Sequence, residues 1–436
     1  MKLRFSIFLI LGLLTFRSFG QEVVNYSDSL NLFCFEDYCH IDSSVKNQYP
    51  FISFEKNNFQ FYSERSPNWE HLYKNLDKLN KGEFAKLNFY HIGGSHIQAD
   101  IYSHDFRTFL QTNWTNAPGE RGIVFPLSVA KTNNPANYTI SSPNYWTSYR
   151  SVVHRPVNID YGVMGVAMTC HDSVINFYFK HNRTTVKPDF CHLRVYHNKG
   201  ELPYDLNFGS DEILIEHIVQ NEQLGYTDIY FADPLSEMDL QFSRRTSELL
   251  DLEIYGFQFM NDEPGISYTS IGINGAGLYT YLANKNFEEQ LALYPPDFFA
   301  FSVGTNDGNV PYDQFDPLVY KRNLEKMMLK VLNANPKCAI LLTVPNDSYY
   351  HRKYLNRNIA REREVIIELA EQYQMPVWDF YGIMGELGSS KTWYRRGLMQ
   401  SDMVHFTSIG YHLKGALLID AFEKYLEQME LFKKLN

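Results

Sequence analysis

The chain has 436 residues, of which 44% are apolar, 16% aromatic and 21% charged. This composition excludes a disordered chain and a fibrous repeat, and the length predicts about two or three domains. The 40 Lys and Arg residues and the 50 Asp and Glu residues give a formal net charge of −10. Such a charge argues against a nucleic-acid partner held by net electrostatic attraction.

The first 20 residues have the pattern of a secretory signal peptide. Lys2 and Arg4 precede a 12-residue apolar run at 5–16, and Ser18-Phe19-Gly20 supplies small residues for cleavage. Twelve apolar residues are too few to span a bilayer, although an uncleaved membrane anchor is the alternative. We therefore expect an exported protein, periplasmic or extracellular, with no integral membrane segment after signal removal.

Five cysteines are compatible with export. Cys34 and Cys39 are near enough in sequence to close a small disulfide loop, and Cys170 and Cys191 are candidates to pair across neighbouring strands. Cys338 opens an apolar strand and is predicted to be a buried free thiol. The alternative, with every cysteine reduced and buried, stays open because pairing depends on geometry.

Residues 21–82 are predicted to form an irregular aromatic leader followed by a helix. Ser66 and Pro67 supply an N-cap and a first-turn proline. One apolar stripe follows at helical spacing, formed by Trp69, Leu72, Tyr73, Leu76 and Leu79. Residues 87–92 then have the apolar pattern of a strand that runs into Gly93-Gly94-Ser95.

Residues 118–261 lose the helical period and show the alternation of short strands. Leu252 and Ile254, for example, alternate with Glu253 and Tyr255. About 140 residues of short strands separated by turn signals predict an inserted β-sandwich, jelly-roll-like and similar to carbohydrate-binding domains.

Residues 262–436 alternate apolar strands with amphipathic helices. The run FFAFSV at 298–303 is continuously apolar, as in a sheet covered on both faces. Further strands are predicted at 338–344 and 376–380, and a last helix from about Ser408. We assign 83–117 and 262–436 to one α/β catalytic domain, a three-layer structure with a parallel sheet that the β-sandwich interrupts.

Four short motifs follow predicted strands or precede helices, where the active sites of open α/β sheets lie. Ser95 follows two glycines that permit a sharp turn, so that its hydroxyl is exposed and its amide can face an oxyanion. The second motif is the glycine block 270–276. The third, Gly304-Thr305-Asn306-Asp307, offers a neutral amide donor to an oxyanion. In the fourth, Asp402 can orient the imidazole of His405 three residues later.

Each motif also has an ordinary structural explanation. Ser95 can be a helix N-cap on a glycine turn, and the glycine block a plain turn before a helix. Asn306 and Asp307 are common turn formers, and Asp402 and His405 can lie exposed in a loop. The order of the four motifs, all at strand ends, favours a catalytic site.

In this order the motifs resemble those of the SGNH (GDSL-like) esterase and acyltransferase superfamily. That family has a Gly-x-Ser block, a glycine block, a Gly-x-Asn-Asp block and a C-terminal Asp-x-x-His. Within it the chain looks closest to the bacterial peptidoglycan O-acetylesterase-like branch, which also carries an inserted β-sandwich. The similar stretches are HIGGSHIQAD at 91–100, GERGIVFP at 119–126 and GISYTSIGINGAG at 265–277.

The resemblance implies Ser95 as nucleophile, His405 as general base and Asp402 as the residue that orients it. It also implies an oxyanion hole formed by the amides of Ser95 and Gly275 and by the Asn306 side chain. Gly275 is preferred to Gly272 because it fits the family's Ile-x-Gly-x pattern.

One position departs from the family, which usually has Asp before the nucleophile where this chain has Gly94. That Asp is not a member of the triad, so the chemistry is kept, but a group that helps to shape the serine turn is lost. His91 and His96, on either side of the turn, are predicted to support the site. Asp100 and Asp105 are predicted to be solvated.

The resulting hypothesis is a serine esterase that removes O-acetyl groups from a polysaccharide, with peptidoglycan favoured and no metal or organic cofactor. Tyr145, Trp146 and Trp393 are candidates to stack on a sugar ring, with core packing as the alternative. An O-acetyltransferase to a sugar hydroxyl remains open, as does a catalytically degenerate carbohydrate-binding protein. The oligomeric state is not predicted.

Overall fold

A computed structural model describes residues 34–35, 38–114, 116–153, 159–209, 213–246 and 251–435. The predicted signal peptide lies outside these residues. Within them, no helix is both long and apolar enough to cross a membrane. A 3₁₀ turn occupies Phe54–Lys56. The α-helices, in chain order, are α1 (Ser43–Gln48), α2 (Pro67–Asn80), α3 (Ser95–Gln98), α4 (Tyr102–Thr112), α5 (Leu278–Leu282), α6 (Phe287–Leu293), α7 (Pro317–Ala334), α8 (Asn358–Tyr373), α9 (Phe380–Met384), α10 (Ser389–Arg395) and α11 (Ser408–Leu435).

Within the described ranges, the strands form three large sheets and two short hairpins. In chain order they are β1 (Cys34–Phe35), β2 (Tyr38–Cys39), β3 (Gln60–Phe61), β4 (Lys86–Gly93), β5 (Gly122–Val124), β6 (Tyr138–Ser141), β7 (Thr147–Arg150), β8 (Val166–Cys170), β9 (Val174–His181), β10 (Phe190–His197), β11 (Tyr204–Phe208), β12 (Ile215–Asn221), β13 (Tyr226–Leu235), β14 (Met238–Arg244), β15 (Leu252–Met260), β16 (Gly265–Gly272), β17 (Phe298–Ser302), β18 (Ala339–Val344), β19 (Tyr349–Tyr350), β20 (Tyr354–Leu355) and β21 (Pro376–Asp379).

The central sheet has the strand order β16-β4-β17-β18-β21-β3. Its first five strands are parallel, and β3 pairs antiparallel with β21 at the edge. The sheet is therefore not wholly parallel, because the segment 21–82, which the sequence sets apart as a leader, contributes an edge strand. The carboxyl ends of β4, β16 and β17 lie side by side and carry the first three motifs.

Helices cover both faces of the central sheet, as the continuous apolar strands predict. Phe298 and Ala300 pack into the core under α2, α4 and α11, whereas Phe299 and Phe301 pack into the core on the side of α7 and α8. Successive side chains of a strand point to opposite faces, so a strand buried on both sides needs apolar residues throughout. The predicted three-layer α/β fold is confirmed for the central sheet.

Two antiparallel sheets lie between β4 and β16 in sequence. One has the order β12-β13-β10-β15-β8-β7, with β5 also paired to β15, and the other has the order β11-β14-β9-β6. Aromatic rings meet between them, since Phe179 of β9 stacks on Phe259 of β15 with ring centroids 4.0 Å apart. Their buried residues join the same core as the α7 and α8 face of the central sheet.

The cysteines separate into one bonded and three free residues among those described. Cys39 is disulfide-bonded, and its backbone partner in the β1–β2 hairpin is Cys34. Cys170, Cys191 and Cys338 are free, so the suggested pairing of Cys170 with Cys191 is wrong. Cys338 is a buried free thiol, as predicted.

Candidate active site

Ser95 lies at the start of α3, directly after the carboxyl end of β4. A Cβ on Gly94 before it would lie 2.7 Å from Asn306 Nδ2 and 3.3 Å from the carbonyl oxygen of Ala276, so a side chain there would require Asn306 to shift. The turn brings the serine motif against the Asn306 motif. As the first helical residue, Ser95 has an amide without an acceptor inside the helix.

Ser95, His405 and Asp402 form a continuous chain of hydrogen bonds. Ser95 Oγ lies 2.8 Å from His405 Nε2, and His405 Nδ1 lies 2.8 Å from Asp402 Oδ2. The His405 side chain is 35% exposed and that of Asp402 is 15% exposed. With Nδ1–H donating to the carboxylate, Nε2 presents its lone pair to the serine hydroxyl, which is the arrangement a general base requires.

The loop backbone holds the Asp402 carboxylate in its ionised form. Its Oδ1 accepts hydrogen bonds from the amides of Val404 and His405, each at 3.0 Å. Partial burial acts to raise the pKa of Asp402, but the hydrogen bonds from the His405 ring and from these two amides outweigh it. The pKa of Asp402 therefore lies well below its ordinary value.

The predicted oxyanion donors are the amides of Ser95 and Gly275 and the side chain of Asn306. Asn306 Nδ2 donates to Ala276 O at 2.9 Å, which uses one of its two N–H bonds. In the adjacent turn, the Asn274 amide donates to Gln98 Oε1 at 2.6 Å and the Ala276 amide to Ile273 O at 3.0 Å. Between them lies the amide of Gly275, for which no acceptor occurs among the described residues.

Gly272 has a different place from Gly275. A Cβ on Gly272 would overlap the backbone of Gln98, so this glycine allows β16 to pack closely against α3. Gly275 is exposed and has a φ of +84°, a conformation that glycine adopts at little cost. The two glycines therefore separate into one that permits packing and one that offers an amide.

Gln98 is a site residue that sequence reasoning missed. Besides accepting from Asn274, its side-chain nitrogen donates to Thr132 Oγ1 at 2.9 Å and to Asn133 O at 2.8 Å. It thereby joins α3 to the turn that contains Gly275. Its position three residues after Ser95 was the available signal, since the two lie on the same short helix.

Asp307, partly buried in the Asn306 loop, lies near the buried Glu362. Asp307 accepts from the Leu278 amide at 3.0 Å, and burial raises the pKa of Asp307 to about 7. Glu362 of α8 is fully buried, and burial together with the Asp307 charge raises its pKa well above the ordinary value. Glu362 lies close under Gly304 and Gly308, so it packs a neutral carboxyl against the loop.

His91 and His96 are buried behind the site and neutral. His91 lies between Tyr268 Oη at 2.8 Å and Ser302 Oγ at 2.7 Å, and burial and the Lys414 charge lower its pKa to about 3. His96 lies 2.9 Å from Tyr411 Oη, and the same two causes hold its pKa well below the ordinary value. Both residues support the site rather than exchange protons.

Lys414 is buried among aromatic rings next to these histidines. Its ammonium lies 4.6 Å from the Tyr102 ring centroid and 4.5 Å from that of Phe380. Burial lowers the pKa of Lys414 to about 7. This charge behind the site was not foreseen, because Lys414 lies on a long helix where a lysine ordinarily faces solvent.

Asp100 and Asp105 are buried, so the prediction that they are solvated is wrong. Asp100 accepts from Arg107 at 3.1 Å, Arg121 at 3.2 Å and Ser270 Oγ at 2.7 Å. Burial acts to raise the pKa of Asp100, but the two guanidinium charges outweigh it and lower the pKa. This cluster joins the three stretches that carry the family resemblance, because each stretch contributes one residue to it: Asp100, Arg121 and Ser270.

The aromatic residues suggested for sugar stacking divide by burial. Trp146 and Trp393 are buried and pack in the core, whereas Tyr145 is 73% exposed. The alternative of core packing is therefore correct for both tryptophans. No group of three or more His, Cys, Asp or Glu residues suited to a metal ion occurs in the described part of the chain.

Ser95, His405 and Asp402 have the relative arrangement of a serine-hydrolase triad. Residues 255–413 match the model of the GDSL-like lipase/acylhydrolase family, which supports the predicted resemblance to the SGNH superfamily. The matched residues include three of the four motifs.

The chain shares the fold of a peptidoglycan O-acetylesterase of known structure. The match covers 85% of this chain and 99% of the other, with 20% identity and a TM-score of 0.69. A shorter match is with a lipase/acylhydrolase from Enterococcus faecalis. It covers 36% of this chain and 75% of the other, with 22% identity and a TM-score of 0.29. An acetylxylan esterase from Geobacillus stearothermophilus matches 37% of this chain and 73% of its own at 20% identity and a TM-score of 0.29. No curated protein sequence matches the chain.

Proposed function

We propose that the protein is an exported serine esterase that removes O-acetyl groups from a carbohydrate polymer, with peptidoglycan as the favoured substrate. The observation that carries the proposal is the chain of two 2.8 Å contacts from Ser95 through His405 to Asp402. Fold similarity to a peptidoglycan O-acetylesterase over 85% of the chain supports the choice of polymer. The N-terminal signal pattern supports export.

In the proposed acylation step, Ser95 Oγ attacks the acetyl carbonyl carbon while His405 Nε2 accepts the serine proton. Negative charge develops on the carbonyl oxygen, where the amides of Ser95 and Gly275 and the Asn306 side chain donate to it. The tetrahedral intermediate then collapses. The bond to the sugar oxygen breaks, and that oxygen takes the proton from His405, which leaves an acetyl-serine.

Deacylation repeats these roles with water as the nucleophile. His405 accepts a proton from water, the hydroxide attacks the acetyl-serine, and Ser95 Oγ recovers the proton as acetate leaves. Asp402 stabilises the imidazolium in both halves, because its ionised carboxylate lies 2.8 Å from Nδ1. The chemistry uses only side chains and backbone amides of this chain.

We further propose that residues 118–261 form an inserted β-sandwich domain that borders the substrate cleft. Val152 supports this assignment, since its Cγ2 lies 3.5 Å from the position a Cβ would take on Gly275. The insertion therefore approaches the proposed oxyanion hole. A carbohydrate polymer bound at Ser95 would contact both parts of the chain.

The test is acetate release by the chain from Gln21 onward, measured on p-nitrophenyl acetate, O-acetylated peptidoglycan and acetylated xylan. We expect turnover that Ser95→Ala abolishes, with the peptidoglycan preferred over the xylan. A fluorophosphonate should label the wild-type chain and not the variant. Turnover that survives Ser95→Ala would contradict the proposed mechanism, and acetylated sugar formed in preference to free acetate would indicate a transferase.

A further inference from the structure

The hairpin formed by β19 and β20 carries an unusual concentration of positive charge. Its residues 349–355 read YYHRKYL, and Arg357 follows. From 348 to 361 the chain contains no Asp or Glu, although the whole chain has a net charge of −10. We call residues 349–357 the cationic hairpin.

The cationic hairpin is attached to the loop that contains Asp402 and His405. The Tyr349 amide donates to Met403 O at 3.3 Å, and Asn346 just before the hairpin donates from Nδ2 to Val404 O at 3.2 Å. The base is closed by the Asn356 amide, which donates to Ser348 O at 3.0 Å. One backbone and one side-chain hydrogen bond therefore hold the hairpin to the loop between Asp402 and His405.

Its charges are exposed and lack ion-pair partners within the described residues. Arg352, Lys353 and Arg357 are all exposed, and no carboxylate there lies within ion-pair distance of them. The acidic residue next in sequence on the N-terminal side, Asp347, is buried and accepts from the Ser390 hydroxyl at 2.6 Å. Nothing in the described fold neutralises this surface.

The backbone of the hairpin tip favours other residue types than those it carries. His351 has a φ of +51° and Arg352 a φ of +60°, so two consecutive residues adopt the left-handed conformation. Gly, Asn or Asp is favoured in this conformation, and other residue types adopt it at a cost. Turn geometry does not explain a His and an Arg at these positions, but a role for their exposed side chains does.

An exposed aromatic ring accompanies the charges. Tyr354 is 56% exposed, and the Lys353 ammonium lies 5.2 Å from its ring centroid. Arg395 of α10 is also exposed and lies near Tyr349 of the hairpin. Its charge acts to lower the pKa of Tyr349, which burial and Asp347 raise. A sugar ring can pack on the tyrosine while carboxylates on the same strand meet the cations.

We infer that the cationic hairpin binds carboxylate groups of the glycan strand whose acetyl group enters the active site. The inference rests on the proposed function and narrows it. The preferred substrates are acidic O-acetylated glycans, such as peptidoglycan with the free carboxylates of its stem peptides, over neutral ones. Electrostatic recognition of this kind acts through exposed charges and is therefore weakened by salt.

The experiment compares kcat/KM on O-acetylated peptidoglycan and on acetylated glucomannan, which is neutral. The hairpin variant is Arg352→Gln/Lys353→Gln, and the matched control is Arg322→Gln/Lys326→Gln, which removes two exposed cations from α7. We expect the ratio of acidic to neutral kcat/KM to fall about tenfold in the hairpin variant and to stay unchanged in the control. The wild-type ratio should also decrease as NaCl rises from about 20 to about 300 mM. An unchanged ratio in the hairpin variant would overturn the inference.

A binding measurement separates this inference from the proposed function. Ser95→Ala is tested for co-sedimentation with peptidoglycan, with and without the two hairpin substitutions. If the wild-type chain releases no acetate from any ester, the proposed function fails, and binding alone decides the role of the hairpin. Weaker binding with the substitutions supports the inference, and equal binding overturns it.

Discussion

The space that a side chain at Gly94 would occupy is taken by Asn306, whose Nδ2 would lie 2.7 Å from the added Cβ. A side chain at position 94 would therefore require the Asn306 amide to shift. Position 94 and the proposed oxyanion hole are therefore one structural unit.

Gly94→Ala should displace the Asn306 amide and lower kcat. Because a single oxyanion donor contributes strongly to catalysis, we expect a loss on the order of 100-fold in p-nitrophenyl acetate hydrolysis. The control is a double-mutant cycle with Asn306→Ala. If Gly94→Ala acts through Asn306, it should cost little further activity once that side chain is absent, whereas additive losses would contradict the contact.

Asp402→Asn should lower kcat by about a thousandfold to ten-thousandfold with KM little changed. The amide side chain cannot stabilise the imidazolium and favours the wrong tautomer of His405. The measurement is steady-state hydrolysis of p-nitrophenyl acetate. Asp313→Asn, which changes an exposed carboxylate elsewhere, should retain wild-type kinetics. A loss under tenfold for Asp402→Asn would argue against the triad.

Arg121→Met should destabilise the fold, because it removes one of the two guanidinium groups that neutralise buried Asp100. Breaking a buried ion pair from one side costs about 3 to 5 kcal/mol in the free energy of unfolding. Urea denaturation measures the change. Arg322→Met, on the exposed side of α7, should shift the free energy by less than about 0.5 kcal/mol. Equal effects of the two substitutions would show that the buried cluster contributes little.

Lys414→Met should remove a pH dependence of stability. The folded-state pKa of Lys414 is about 7, against an ordinary value of 10.5. Between these values the unfolded chain binds a proton that the folded chain does not, so Lys414 makes stability rise with pH. As pH falls from 10.5 towards 7, the free energy of unfolding therefore decreases.

We therefore expect the stability of Lys414→Met relative to wild type to change by about 1.4 kcal/mol per pH unit in this window. The variant should be more stable than wild type at pH 7, keep only part of that advantage at pH 9, and lose it above pH 10.5. Denaturation curves of both proteins at each pH provide the measurement. Parallel pH profiles would mean that Lys414 keeps an ordinary pKa in the folded protein.

The sequence by itself determined the α/β class, the main strands and helices, and the four motifs with their order. Apolar runs such as 298–303 and helical stripes such as that of α2 are local patterns, readable without knowing what packs against them. The nearness of Ser95 and Asn306 was also predictable, because the carboxyl ends of parallel strands lie at one edge of a sheet, whereas His405 was placed by the family resemblance.

Only the tertiary structure decided which polar residues are buried and which glycine offers its amide. Asp100 looks solvated until Arg107, Arg121 and Ser270 are placed around it by three different segments. Gly272 packs against the backbone of Gln98, whereas Gly275 does not. The contact of the cationic hairpin with Met403 places it beside the proposed active site. Burial and contact depend on residues far apart in the chain, and a local pattern carries no record of those partners.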